Sequence, residues 1–115
     1  MSIAEEYQKW QTRNPNIITP NLIDYDVIDD YVVELSHGTG IKNEPIYGVS
    51  ILERTSENEF STRPGYLSGV AKPLWDIKIA RNYFREVSDA VYTCKEFKDE
   101  EFIKCLRDEV VNRGE

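Results

Sequence analysis

Apolar side chains recur at two different spacings along this chain, and each spacing predicts a different kind of element. Near the N-terminus the apolar residues at helical spacing are Ile3, Tyr7 and Trp10. Ser2 stands just before this stripe and Glu5 lies three positions after Ser2. This is the spacing of a capping box, which stabilises the start of a helix. The pattern predicts a short amphipathic helix over about residues 3–13. Pro15 ends it because proline cannot supply the amide donor that a continuing helix needs.

From Asp30 the spacing of apolar residues changes to two, which is typical of a strand with one buried face. The alternating residues are Tyr31, Val33 and Leu35 in one segment and Tyr47, Val49 and Ile51 in the next. A turn-rich segment joins the two over residues 37–45, so we expect an antiparallel hairpin. A short third strand is predicted over residues 60–62, and residues 66–71 are a candidate for a fourth.

Helical spacing returns in the last third of the chain. The first stripe there comprises Ile79, Ala80, Tyr83, Phe84, Val87, Ala90, Val91 and Cys94. With Asp76 as its N-cap, this stripe predicts a helix over about residues 77–94. A second stripe, which includes Phe102 and Leu106, predicts another helix over about residues 99–112.

The order of these elements predicts an α+β fold. We expect a small antiparallel sheet of two to four strands over about residues 30–71. The N-terminal helix and the two C-terminal helices are expected to pack on one face of that sheet. A chain of 115 residues is long enough to bury one core, so residues 1–115 are predicted to form a single domain. Residues 14–29 are interpreted as an irregular acidic connection.

Charge is distributed unevenly along the chain. The formal net charge is −7, from 21 acidic and 14 basic residues. Five of the seven surplus negative charges lie within residues 14–41, a segment that contains no Lys or Arg. Phosphate backbones require a basic surface, so direct nucleic-acid binding is disfavoured. The acidic segment instead favours a basic protein as partner.

Tyrosines lie among the carboxylates of this acidic segment. The predicted partner-binding residues are Asp24, Tyr25, Asp26, Asp29, Asp30 and Tyr31. Tyrosine is common at interfaces because its ring buries a large area at small entropic cost. A second interpretation is a solvated connection whose charges guard an edge strand. A divalent-cation site is disfavoured, because the cluster lacks the glycine and the distal glutamate of a Ca²⁺ loop.

The residue types needed for catalysis are sparse. His37 is the only histidine, and its neighbour Ser36 is expected to point to the opposite face of a strand, so the two do not form a nucleophile and base pair. Gly38 and Gly40 form a GxG pair that leads to another strand and not to a helix. We therefore interpret them as turn glycines with positive φ and not as a phosphate loop. No catalytic residue, cofactor or metal is predicted.

Cys94 and Cys105 are the only cysteines, eleven positions apart. A structural zinc site needs four Cys or His ligands, which this chain cannot supply. Both are expected to be free thiols in the core or at its boundary, with a reactive thiol as the alternative.

The chain has no apolar run of membrane-spanning length, and its N-terminus is too charged for a secretory signal. A cytoplasmic protein without membrane contact is expected.

These observations favour a small non-enzymatic interaction or regulatory module that binds a basic protein. One narrower version is an accessory factor of viral or mobile-element origin that occupies the basic groove of a nucleic-acid-binding protein. One alternative is a ligand-binding or enzymatic domain with a pocket between the sheet and helix 77–94. Residues suggested for that pocket are Tyr47, Arg54, Arg63 and Tyr83. Another alternative is a structural homodimer, built across an edge strand or the N-terminal helix.

Overall fold

The computed structural model describes residues 2–13, 22–39, 42–62 and 75–113. Its elements are α1 (Ile3–Arg13), β1 (Leu22–Ile28), β2 (Tyr31–Thr39), β3 (Pro45–Ser56), β4 (Glu59–Thr62), α2 (Ile77–Cys94) and α3 (Asp99–Arg113). The predicted α+β architecture is confirmed, with the N-terminal helix first, then the sheet, then the two C-terminal helices. The predicted caps of α1 and α2 are present. The Glu5 amide donates to Ser2 Oγ at 3.2 Å, and the Lys78 amide donates to Asp76 Oδ1 at 2.7 Å.

The four strands of the described residues form an antiparallel sheet in the order β1-β2-β3-β4. The β2–β3 register runs from the Tyr31–Glu53 pair to the Thr39–Pro45 pair, which confirms the predicted hairpin. The third predicted strand is β4, whereas the candidate strand over residues 66–71 lies outside the described residues.

Strand β1 corrects the prediction of an irregular connection over residues 14–29, of which the part up to residue 21 is not described. Residues 22–28 pair with β2, with a register shift between Leu22 and Asp24. The strand period was present in the sequence, since Ile23, Tyr25 and Val27 alternate with aspartates. Aspartate is disfavoured in strands, and here its carboxylates remain in solvent because β1 has a neighbour on one side only in the described sheet.

The helices cover both faces of the sheet, and the prediction that all three pack on one face is wrong. On one face α2 and α3 bury a cluster that includes Tyr31, Val33 and Leu35. On the other face α1 buries a second cluster, which consists of Tyr7, Trp10, Val32, Leu52 and Phe60. Because successive strand side chains point to opposite faces, the alternating residues of β2 contribute to both clusters. Trp10 packs on its own sheet, as expected for a helix too short to be stable alone.

The glycines near the β2–β3 turn also differ from expectation. Gly38 is part of β2, opposite Ile46, and its φ is not in the left-handed region. Gly40 lies outside the described residues. The Ser36 hydroxyl donates to the Gly48 carbonyl oxygen at 3.4 Å, while the His37 ring lies against Tyr47, with centroids 5.4 Å apart. Ser36 and His37 are therefore engaged with different partners.

Cys94 and Cys105 form a disulfide bond, which corrects the expectation of two free thiols. Cys94 is the last residue of α2, and Cys105 lies in the second turn of α3. The short connection between the helices brings their Cα atoms to 5.8 Å, within the range that a disulfide spans. A spacing of eleven does not show this in the sequence, because the relative rotation of two helices depends on how they pack.

We expect the Cys94→Ala/Cys105→Ala double variant to lose about 2–4 kcal/mol of unfolding free energy, because the bond restrains the unfolded chain. Guanidinium unfolding of the oxidised protein and of the variant measures this loss. In the presence of a thiol reductant the parent should unfold at the same midpoint as the variant. A midpoint of the parent that does not respond to reductant would show that the bond contributes no stability.

Candidate functional site

The structure separates the six predicted partner-binding residues into two groups. Asp24, Asp26, Asp29 and Asp30 are exposed along β1 and the turn that follows it. Tyr31 is only 4% exposed, and its ring stacks on Phe102 with centroids 4.3 Å apart. The expectation of an exposed tyrosine therefore does not hold for Tyr31, which belongs to the core.

Tyr25 is also turned away from the acidic residues. Its side chain packs on the α1 face of the sheet, where its ring centroid lies 4.9 Å from that of Tyr7. Its hydroxyl accepts a hydrogen bond from Gln8 Nε2 at 3.1 Å. Asp24 and Asp26, which alternate with Tyr25, therefore project on the opposite face, towards α2.

Two basic side chains of the α2 region approach these aspartates. Arg81 Nη1 lies 3.8 Å from Asp24 Oδ2, and Lys95 Nζ lies 3.3 Å from Asp29 Oδ2. The Arg81–Asp24 pair is exposed and contributes about 0–1 kcal/mol because water screens it, whereas the Lys95 side chain is half-buried. Asp26 has no ion-pair or hydrogen-bond partner in the described part of the chain.

The β1–β2 turn directs Asp29 towards the end of α2. Ile28 pairs with Tyr31, so the turn consists of Asp29 and Asp30 alone. Asp29 has a φ of 51°, a left-handed conformation that aspartate tolerates better than most residues. The turn thereby holds the Asp29 carboxylate within reach of Lys95.

A cleft of about 260 Å³ lies between this turn and α2. It is lined by Asp26, Val27, Ile28, Asp29, Ser88, Asp89, Tyr92 and Lys95. Three carboxylates and one ammonium group therefore surround it. The Lys95 ammonium is placed over the Tyr92 ring, 4.4 Å from its centroid, and the Tyr92 side chain is 63% exposed.

Ser88 is the least usual member of the cleft lining. Only 6% of the residue is exposed, and its Oγ has no hydrogen-bond partner among the described residues. A buried hydroxyl without a partner costs free energy, and most such groups in folded proteins are satisfied. The sequence pattern does not single out the α2 residues that line the cleft. Ser88, Tyr92 and Lys95 do stand at helical spacing, but the sequence does not show which loop faces them.

The structure separates the residues suggested for a pocket between the sheet and α2. Tyr83 is buried in the cluster under α2 and Tyr47 packs against that cluster, whereas the Arg54 side chain lies on the α1 side of the sheet. Arg63 is outside the described residues. A larger depression of about 580 Å³ lies beside α1 and the β3–β4 turn, and its lining includes Glu5, Gln8 and Asn58.

A buried carboxylate lies on the α1 face of the sheet. Glu34 is 1% exposed and accepts a hydrogen bond from the hydroxyl of Tyr7, which is fully buried. Burial, the hydrogen bond to Glu34 and the charge of Glu34 together raise the pKa of Tyr7, so its phenol remains protonated. The hydrogen bond joins α1 to β2. Because both side chains are buried, a substrate cannot reach the pair.

A second sheltered carboxylate joins α1 to the β3–β4 turn. Glu6 Oε1 accepts hydrogen bonds from the Asn58 amide at 2.7 Å and from Arg54 Nε at 3.0 Å. The Asn58 hydrogen bond, followed by Arg54, holds the pKa of Glu6 below its usual value of 4.5, although burial acts in the opposite direction. Glu6 is therefore a charged anchor and not a proton donor at neutral pH.

The described residues contain no group of three or more His, Cys, Asp or Glu side chains that could hold a metal ion. None of the described helices is both long enough and apolar enough to cross a membrane. Comparisons with protein-family models, curated proteins and solved structures find no match. The candidate functional site is therefore identified from its geometry alone. It is the cleft between the β1–β2 turn and α2.

We expect Tyr7→Phe to lower the unfolding free energy by about 1.5–3 kcal/mol, since it removes a hydrogen bond to a buried carboxylate. Tyr25→Phe is the matched control, because its hydroxyl bonds the exposed side chain of Gln8, and it should change stability by less than about 0.5 kcal/mol. Urea unfolding of both variants makes the comparison. Equal costs would contradict a structural role for the Tyr7–Glu34 pair.

The lowered pKa of Glu6 predicts a pH dependence of stability. Its stabilising effect is fully present above the unfolded pKa of about 4.5 and is lost as pH falls through the lower folded pKa. At neutral pH, Glu6→Gln should unfold at lower denaturant than the parent, and this gap should narrow as pH falls below about 4.5. Glu57→Gln, an exposed change in the adjacent turn, should show no such gap. A gap that stays constant down to low pH would contradict this assignment.

Proposed function

We propose that this protein is a non-enzymatic interaction module that binds a basic protein through an acidic rim, defined as Asp24, Asp26, Asp29 and Asp89. One observation carries the proposal: these carboxylates come from β1, its turn and α2, yet they lie along one side of the fold. Exposed Tyr92 lies next to them and takes the role that the sequence analysis gave to Tyr25 and Tyr31. Opposite charges across an interface speed association and exclude wrong partners.

The bases near the rim do not prevent this binding. Arg81 pairs with Asp24 in an exposed position, where an ion pair is weak and exchanges readily. Lys95, whose side chain is 25% exposed, pairs with Asp29, whose side chain remains 64% exposed. A partner that brings its own cations can replace these contacts at little cost. Its affinity should fall as salt rises, since exposed charges are screened beyond about 10 Å in 0.1 M salt.

The position of β1 indicates how a partner docks. As the outer strand of the described sheet it offers backbone groups for pairing, but Asp24 and Asp26 place charges along that edge. Charges on an edge strand suppress pairing with another strand. Two copies of this chain joined β1 to β1 would also bring these carboxylates towards each other. The geometry thus supports docking through side chains of a basic partner over the β1-paired homodimer.

The cytoplasmic location expected from the sequence remains a prediction. The disulfide argues against a cytoplasmic location, because cytosolic thiols are kept reduced in most organisms. In a reducing compartment the α2–α3 pair would lose the restraint of this bond. The narrower proposal of a factor of viral or mobile-element origin draws its support only from the size and charge of the chain.

The rim is tested by the triple variant Asp24→Asn/Asp26→Asn/Asp29→Asn. Each asparagine keeps the side-chain shape, and asparagine tolerates the left-handed conformation at position 29. Capture from nuclease-treated extract at about 0.1 M and about 0.5 M salt should identify a basic protein released at the higher salt. Titration of that purified partner should then show binding about tenfold weaker for the variant at low salt, mostly through a slower association rate.

A control of equal charge separates the rim from net charge. Glu100→Gln/Glu101→Gln/Asp108→Asn removes three charges from the exposed side of α3, so both variants carry the same net charge. The control should bind the partner about as well as the parent. Equal weakening in both variants would attribute the binding to net charge and would contradict a localised docking surface.

A further inference from the structure

We propose that the Cys94–Cys105 bond is a redox switch that holds α3 on the fold. While the bond is intact, α3 stays closed over the core. Once a dithiol reductant has cleaved the bond, α3 opens, and the sheet with α1 and α2 remains folded. Such a switch goes beyond the proposed function, since it sets when one layer of the fold is closed and does not concern what the acidic rim binds.

Helix α3 is a separable layer of this fold. On its face of the sheet, α2 contributes Tyr83, Val87 and Val91 to the same cluster, so this face has cover of its own. The cluster on the other face is built from described residues of α1, β2, β3 and β4. A protein in which α3 has opened therefore keeps a sheet with a helix on each face.

Three buried side chains hold α3 on the core. They are Phe102, Leu106 and Val110, each no more than 4% exposed. Phe102 stacks on the Tyr31 ring, with centroids 4.3 Å apart. One buried residue per turn is a narrow apolar stripe, and a helix of 15 residues is marginal in water by itself. When α3 leaves the core its helical structure is therefore lost as well, and the Tyr31 ring is uncovered.

The start of α3 adds a cost to the closed state. Asp99 has a φ of 53°, in the left-handed region that residues with a side chain seldom adopt. In the same turn the Phe102 amide donates to the Lys98 carbonyl oxygen at 3.4 Å, which is long for a hydrogen bond. Opening of α3 releases the cost at Asp99. The first turn of α3 is thus a weak point of the closed fold.

The disulfide spans this weak point. It joins the last residue of α2 to the second turn of α3, so the connection and the whole first turn lie within the loop that it closes. A cross-link lowers the entropy of every state in which its two ends would otherwise separate. The state with α3 open is such a state, and the bond therefore disfavours it. Cleavage of the bond removes this restraint.

The two sulfurs differ in their access to a reductant. Cys94 is fully buried, whereas Cys105 is partly exposed. A thiolate of the dithiol therefore forms a bond to Cys105 Sγ and displaces Cys94 Sγ, which leaves as a thiolate and takes up a proton. The second thiol of the reductant then displaces Cys105 Sγ, which also takes up a proton. The protein gains two electrons and two protons, and the reductant leaves as its own disulfide.

Hydrogen exchange followed by backbone amide NMR tests the switch on the oxidised protein and on the protein kept reduced with dithiothreitol. Reduction should speed exchange of the α3 amides at least about thirtyfold, because the restraint on the open state is lost. In the reduced protein these amides should exchange at least about tenfold faster than those of β2, as expected for local opening.

Two results would overturn the switch. If α3 exchanges no faster after reduction, the bond does not hold α3. If α3 and β2 exchange at the same rate in the reduced protein, or if β2 has lost its protection, then α3 opens only when the whole fold does. The Cys94→Ala/Cys105→Ala variant is the control for the reductant: its α3 amides should exchange as in the reduced parent, and dithiothreitol should not change them. If this variant does not fold, the reduced parent still carries the test, because its sequence is unchanged.

Trypsin provides an independent measurement with control sites in the same protein. Lys104 is exposed on α3 within the loop that the bond closes, and Arg81 and Arg85 are exposed on α2. Cleavage after Lys104 should be at least about tenfold faster in the reduced protein, since proteolysis follows the population of the open form. The two arginine sites should stay uncut over the same period. Cleavage at Arg81 and Arg85 as fast as at Lys104 would contradict a separate opening of α3.

Discussion

Burial of β2 on both faces is the constraint on which the other layers of this fold depend. Tyr31–Leu35 are all less than 5% exposed, and their alternating side chains enter two separate clusters. A strand buried in this way needs cover on each face, so α1 lies on one side of the sheet and α2 with α3 on the other. It also encloses one charged residue, Glu34, whose carboxylate must find hydrogen-bond donors. Tyr7 supplies one from α1.

Strand β1 lies at the outside of the described sheet. Its side chains on the α1 face, Tyr25 and Val27, are drawn inward by the smaller cluster, which leaves Asp24 and Asp26 on the side of α2. The tight Asp29–Asp30 turn then brings a third carboxylate next to the end of that helix. The acidic rim therefore arises from packing: the strand is amphipathic, and its polar side meets solvent because α2 covers only part of it.

The contacts that stabilise the fold lie away from the acidic rim in this structure. The Tyr7–Glu34 and Glu6–Arg54 contacts join α1 to the sheet, and the disulfide joins α2 to α3. The cleft lies outside all three, between the β1–β2 turn and α2. Ser88, which lines the cleft, has a buried hydroxyl without a hydrogen-bond partner among the described residues.

Local patterns were enough to predict the helices, the central hairpin and the acidic segment, because capping and hydrophobic spacing act over a few residues. Strand β1 carried the same period, but its aspartates obscured it, and their tolerance depends on an edge position that only pairing defines. The two-sided cover of the sheet, the Cys94–Cys105 bond and the inward rotation of Tyr25 and Tyr31 depend on how distant elements pack. The cleft does as well: Asp26 and Ser88 are 62 positions apart in the sequence. The sequence by itself determined the helices, the central hairpin and the acidic segment. Tertiary packing alone decided which of their side chains meet, since contact between distant residues is set by the three-dimensional arrangement of whole elements.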